Sequence, residues 1–90
     1  MLKCKWEIPQ WVHVATSLEG EDKKIKDVEI WEQEWEPMEG EVALVKDPNY
    51  GQTHRFSVYR IQKDEKVVEF AAGEFSNGVW GFYLRNKNAA

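Results

Sequence analysis

The 90-residue sequence contains a single cysteine, Cys4, so the chain cannot form an intramolecular disulfide. It has no CxxC motif and no cluster of Cys and His at metal-ligand spacing, and we expect neither a metal nor a cofactor. No apolar run approaches the roughly 20 residues of a membrane-spanning helix, and none near the start is long enough for a signal peptide. The length of 90 residues predicts one domain, residues 1–90. The absences predict a reduced cytoplasmic setting away from membranes.

Motifs of catalysis are also lacking. The sequence has no nucleophile elbow, phosphate-binding loop, dinucleotide fingerprint, HExxH motif or EF-hand loop. Three residues have the chemistry of a nucleophile or a general base, namely Cys4, His13 and His54. Cys4 lies on the apolar side of an alternating stretch, where a buried thiol is usually inert, and His54 follows a turn and is expected beside Phe75. We therefore predict a protein without catalytic residues.

Tryptophan and acidic residues are abundant instead. Five tryptophans occur in 90 residues, and Trp6, Trp31 and Trp35 are each followed directly by glutamate. The net charge is −4, but residues 19–41 hold ten acidic residues and three lysines, a net −7 that leaves +3 elsewhere. The overall acidity disfavours simple binding to nucleic-acid phosphates. The acidic segment either attracts a basic partner or neutralises the basic part of its own chain.

The strongest local signal is Asn77-Gly78 between two β-prone runs, which predicts a hairpin with a two-residue type I′ turn. This turn pairs Ser76 with Val79 and Phe75 with Trp80. An aromatic ring over a strand glycine compensates for the missing side chain, as Phe82 over Gly73 does in this register. The same register pairs Ala71 with Leu84, Ala72 with Tyr83 and Phe70 with Arg85.

A second hairpin is predicted around Asp64-Glu65. With these two residues as the loop, Val58 pairs with Ala71, and Arg60 lies opposite Glu69 as a favourable cross-strand charge pair. The two hairpins form a C-terminal three-stranded meander. The predicted fold is therefore mainly β, a small antiparallel barrel or two-layer sheet.

The N-terminal half is less uniform. Residues 2–8 alternate between apolar and charged side chains, and residues 11–16 are rich in valine, so both predict strands. Residues 25–31 fit a strand through their β-branched side chains, but apolar residues between positions 25 and 38 also fall at helical spacing, as a stripe on a helix that Pro37 would stop. The alternative to an all-β fold is thus α+β with one helix near residues 21–36. The stripe consists of Ile25, Val28, Trp31, Trp35 and Met38.

Two surfaces are candidates for binding, and the first is the acidic, tryptophan-rich segment. Aromatic anchors surrounded by carboxylates suit docking onto a protein with a basic surface, and this function of a binding or inhibitory module is our first hypothesis. The competing interpretation places the tryptophans in the core with the glutamates as a solvated face. The residues predicted to contact the partner are Glu29, Trp31, Glu32, Glu34, Trp35 and Glu36.

The second candidate is the meander face that carries aromatic residues and arginines. Aromatic rings stack on bases or sugars, and guanidinium groups bind phosphates, so this face predicts a platform for single-stranded nucleic acid or carbohydrate. The competing interpretation is a second layer of core. The residues of this alternative platform are Arg55, Tyr59, Phe70, Tyr83 and Arg85.

Overall fold

The computed structural model describes residues 10–86, so the predicted strand over residues 2–8 and Cys4 lie outside the described residues. The prediction of a mainly β fold is confirmed. The described chain forms seven strands and one 3₁₀ turn. The strands are β1 (Trp11–Leu18), β2 (Lys24–Ile25), β3 (Val28–Glu29), β4 (Glu36–Lys46), β5 (Thr53–Lys63), β6 (Lys66–Ser76) and β7 (Val79–Arg85), and the 3₁₀ turn is Ile30–Glu32.

Five strands form one antiparallel sheet in the order β1-β7-β6-β5-β4. The predicted C-terminal meander is present as β5-β6-β7, and β4 extends it by one strand. The outer strands β1 and β4 approach each other, because the sheet is curled. The short strands β2 and β3 form a separate hairpin.

The register predicted between β5 and β6 is confirmed. Lys63 pairs with Lys66, which leaves the two residues Asp64-Glu65 as the loop. Val58 lies opposite Ala71 and Arg60 opposite Glu69, as predicted. The turn and the alternating pattern are therefore sufficient to align these two strands.

The register predicted between β6 and β7 is wrong beyond its first pair. Ser76 pairs with Val79, but Phe75 is bulged and Trp80 lies opposite Glu74. A type I′ turn needs positive φ at both loop residues, whereas in Asn77-Gly78 only the glycine has it, at 71°. The bulge shifts the register by one residue, which turns every later side chain of β7 to the other face. The resulting pairs are Gly73 with Gly81, Ala72 with Phe82, Ala71 with Tyr83 and Phe70 with Leu84.

The sheet buries a separate apolar cluster on each face. On the first, which we call the covered face, side chains of β5, β6 and β7 pack against residues from the segment between β1 and β4. On the second, the enclosed face, residues of β1 and β4 join the meander. The covered face holds Ile25, Val28, Ile30, Ile61, Val68, Phe70, Ala72 and Phe82, and the enclosed face holds Trp11, Ala43, Val45, Phe56, Val58, Ala71 and Tyr83.

Aromatic rings lie over two paired glycines in the sheet. A side chain at Gly73 would collide with the ring of Phe56, and one at Gly81 would collide with the ring of Phe75. Compensation of a strand glycine by an aromatic ring was expected at Gly73, but the ring comes from the neighbouring β5. A larger residue at either position would therefore have to displace the ring that lies over it.

The segment that covers the sheet contains no α-helix, so the alternative with one helix near residues 21–36 is wrong. Lys26 and Asp27 both have positive φ, 52° and 68°, as a type I′ turn requires, and they join β2 to β3. The β-branched residues Ile25 and Val28 flank this turn and are buried. Extended backbone suits these side chains better than helix.

Candidate functional site

Three tryptophans form a contacting cluster above the covered face. The distance between ring centroids is 5.1 Å for Trp31 and Trp35, 5.6 Å for Trp31 and Trp80, and 5.8 Å for Trp35 and Trp80. Trp31 and Trp35 also pack edge-to-face on the buried Phe82, each at 5.8 Å. All three indoles stay partly exposed. The cluster therefore closes the core below it and presents aromatic surface above it.

Each indole N–H of the cluster has a hydrogen-bond acceptor. Trp31 Nε1 donates to Oγ of the buried Ser17 at 3.1 Å, and Trp35 Nε1 donates to the carbonyl oxygen of Ile30 at 2.6 Å. Trp80 Nε1 donates to the carboxylate of Glu19 at 3.2 Å. These bonds pair the three N–H donors with acceptors and fix the orientation of the rings.

The four predicted glutamates divide into two kinds. Glu29 accepts a hydrogen bond from the backbone N–H of Lys23 at 2.7 Å, and Glu36 pairs with Arg60 at 2.6 Å. By contrast, Glu32 and Glu34 are exposed, and within residues 10–86 their carboxylates have no hydrogen bond or ion pair. Two carboxylates thus remain free beside the tryptophans.

The surface made of the tryptophan cluster and the free carboxylates is named the acidic tryptophan patch. It unites four of the six residues predicted from the acidic segment and adds a fifth from β7. Trp80 was not among the predicted residues, because the predicted register placed it on the opposite face of the sheet. The bulge at Phe75 shifts the register by one residue and turns Trp80 to the covered face. The patch consists of Trp31, Glu32, Glu34, Trp35 and Trp80.

The alternative aromatic platform is not formed, and its prediction is corrected. Phe70 and Tyr83 are 0% and 1% exposed and lie in the two clusters on opposite faces of the sheet. Arg85 pairs with Glu41 at 2.8 Å and lies over the ring of Trp11. The cause is again the bulge, which moves Tyr83 away from the face of Phe70. Of the remaining two residues, Tyr59 packs against Trp35, and Arg55 is exposed on β5.

The two histidines are held in structural contacts. His54 lies beside Phe75, as predicted, with ring centroids 5.2 Å apart, and its Nε2 is 3.5 Å from the carboxylate of Asp47. His13 Nε2 is 2.7 Å from the hydroxyl of Thr16, and burial lowers the pKa of this imidazole. In the part of the chain that the structure describes, no three Cys, His, Asp or Glu side chains are grouped to hold a metal ion.

The phenol of Tyr83 provides a pH-dependent test of the enclosed face. Its hydroxyl donates to the carbonyl oxygen of Lys46, and burial raises the pKa of Tyr83 to about 12 from 10.0. Since the unfolded chain ionises first, this group contributes stability below pH 10, and the contribution is lost as the pH rises towards 12. We expect the difference in phenolate absorbance between the wild type and Tyr83→Phe to titrate near pH 12; a midpoint at pH 10 would contradict the buried hydroxyl.

No helix within residues 10–86 has the length and apolarity to span a membrane. Comparison of the chain with protein-family models, with curated proteins and with solved structures gave no match. The functional assignment therefore depends on the geometry of the patch.

Proposed function

We propose that this protein is a small non-enzymatic binding or inhibitory module that docks onto the basic surface of a partner protein through the acidic tryptophan patch. The observation that carries the proposal is the contact of three partly exposed indoles beside the free carboxylates of Glu32 and Glu34. Rigid aromatic side chains are the commonest anchors of protein interfaces. A reduced cytoplasmic setting is part of the same proposal.

Cationic side chains match both chemical features of the patch. The faces of indole rings attract guanidinium and ammonium groups, and the neighbouring carboxylates pair with the same groups. Residues 19–41 carry a net −7, so the field around the patch also favours encounters with a positively charged surface. Arginine suits this arrangement better than lysine, because its planar guanidinium stacks and forms bidentate bonds.

The patch is organised before any partner binds. Trp35 is held by Phe70, by Phe82 and by its bond to Ile30, and Trp31 is held by Ser17. Side chains that are already fixed lose little conformational entropy on association. The packing of these rings in the core and their use in recognition are therefore compatible.

Charge reversal at the patch separates binding from folding. We expect Glu32→Lys with Glu34→Lys to weaken binding of a fluorescently labelled nona-arginine peptide at least tenfold in a polarisation assay, because two attractive charges become repulsive. Both side chains are exposed and free of internal bonds among the described residues, so the circular dichroism spectrum and the melting temperature should change little.

The matched control reverses two exposed carboxylates elsewhere, with Asp64→Lys and Glu65→Lys in the β5–β6 loop, where neither side chain has a hydrogen bond or ion pair among the described residues. It changes the net charge by the same amount, and we expect less than a threefold loss of peptide affinity. An equal loss in both variants would indicate a response to net charge alone and would contradict the patch. Undiminished binding by the Glu32 and Glu34 variant would contradict it as well.

A further inference from the structure

The outer side of strands β4 and β5 has a face that no other segment covers within residues 10–86. Ala43 and Val45 point to the enclosed face, so the residues that alternate with them along β4 point outwards. Two of these, Val42 and Leu44, are 53% and 65% exposed. All six side chains of this surface, which we call the β4–β5 open face, are exposed; they are Val42, Leu44, Lys46, Thr53, Arg55 and Ser57.

Two cations lie on the β4–β5 open face without an internal ion pair. Arg55 is the cross-strand neighbour of Leu44, and Lys46 lies two residues further along β4. Neither cation pairs with an acid within residues 10–86. The carboxylate of Asp47 instead accepts backbone N–H groups of the β4–β5 loop, and that of Glu74 accepts a backbone N–H of the β6–β7 turn. The face is therefore aliphatic and cationic.

The acidic tryptophan patch has the complementary chemistry. Its partly exposed indoles attract guanidinium groups and gain from contact with aliphatic side chains, and its free carboxylates pair with cations. One molecule does not satisfy both of its own surfaces, because within residues 10–86 the carboxylates of Glu32 and Glu34 form no ion pair. Two copies of the chain satisfy them when the patch of one meets the open face of the other.

We propose that the chain associates with itself, with the acidic tryptophan patch of one copy docked on the β4–β5 open face of a second copy. Arg55 pairs with the free carboxylates and stacks on the indoles, while Val42 and Leu44 pack against the rings. This self-docking rests on the proposed function and names a second copy as one partner that has the basic surface. Few charge pairs and a small apolar area make the contact weak and transient, so a dilute solution contains the free chain with its patch open.

Charge reversal on each surface tests the pairing. As the concentration of the wild type increases from about 1 μM to about 1 mM, we expect its average mass in sedimentation equilibrium to rise from 10.6 kDa towards twice that value or beyond. Lys46→Glu with Arg55→Glu should abolish the rise, because both surfaces are then acidic. Glu32→Lys with Glu34→Lys should abolish it too, because both are then basic. An equimolar mixture of the two variants should associate, since each supplies the charge that the other has lost.

The substitutions at all four positions are compatible with folding. Each side chain is exposed and free of ion pairs among the described residues, so the circular dichroism spectra should match that of the wild type. Asp64→Lys with Glu65→Lys is the control. It changes the net charge as much as the reversal of Glu32 and Glu34 but leaves both surfaces intact, so its mass should rise as that of the wild type does.

Self-docking is overturned if the wild type keeps the mass of a monomer at about 1 mM, or if the equimolar mixture does not associate. It is also overturned if the variant at Lys46 and Arg55 associates like the wild type. That variant retains its patch, so it should bind the nona-arginine peptide at least as tightly as the wild type does. Peptide binding without self-association would contradict self-docking alone, whereas self-association without peptide binding would contradict the proposed function.

Discussion

Trp35→Ala should lower the free energy of unfolding by about 3–5 kcal/mol, the loss typical of a large aromatic residue removed from a core. The ring of Trp35 packs edge-to-face on Phe70 at 5.2 Å and on Phe82 at 5.8 Å. Its removal also leaves the carbonyl oxygen of Ile30 without the indole donor. Urea denaturation followed by circular dichroism measures the effect, which is a large part of the total stability of a small domain.

Two substitutions calibrate this result. Trp35→Phe keeps an aromatic ring in the cluster but removes the N–H donor, and we expect a smaller loss than for alanine. Leu44→Ala removes an apolar side chain that is 65% exposed and should change the free energy of unfolding by no more than about 0.5 kcal/mol. If Trp35→Ala were as mild as Leu44→Ala, Trp35 would not be part of the core.

Gly73→Ala should destabilise the protein by about 1–3 kcal/mol, the usual cost of overpacking. The added methyl group would overlap Cγ, Cδ1 and Cε1 of Phe56, atoms that include the attachment point of a buried ring. That ring cannot move without displacing its neighbours on the enclosed face. Gly81→Ala meets mainly the tip of the ring of Phe75, which is partly exposed whereas Phe56 is buried, so its effect on the unfolding free energy should be smaller.

A double-mutant cycle tests whether the destabilisation caused by Gly73→Ala arises from the contact with Phe56. Phe56→Leu creates space beside position 73, so Gly73→Ala should cost less in the Phe56→Leu background than in the wild type. Strictly additive free energies would show that the methyl group is rejected by something other than the ring of Phe56. The measurement again uses urea denaturation of the four proteins.

The meander was predictable where local signals determine it. Turn residues and alternation located both C-terminal hairpins, and the β5–β6 register followed from the two-residue loop Asp64-Glu65. Charges opposite each other, Arg60 and Glu69, agreed with the same alignment. These interactions join residues that are close in sequence, so a single sequence contains enough information to place them.

The bulge at Phe75 was not predictable in this way. Asn77-Gly78 is compatible with more than one turn geometry, and the choice depends on packing between strands that the turn does not determine. In the observed register the rings of Phe56 and Phe75 lie over Gly73 and Gly81. A one-residue shift moved Tyr83 and Trp80 to new faces, which removed the predicted platform and completed the tryptophan cluster.

The acidic segment was identified from composition, but its conformation was not. Its apolar residues are spaced for a helical stripe, yet Ile25, Val28 and Ile30 are buried by a two-strand hairpin and a 3₁₀ turn. Contacts with the covered face decide this outcome, and such tertiary contacts override local propensity. Which glutamates stay free also depends on distant partners, since Glu36 is neutralised by Arg60, 24 residues away.

The most direct measurement of the patch is an NMR titration of the ¹⁵N-labelled protein with the nona-arginine peptide. We expect the largest shift changes at the indole N–H groups of Trp31, Trp35 and Trp80 and at the backbone amides of residues 32–34. Residues 44–47, on the opposite side of the sheet, should change little. Peptide binding that leaves the three indole signals in place, or that perturbs residues 44–47 instead, would contradict a recognition surface built on the tryptophan cluster.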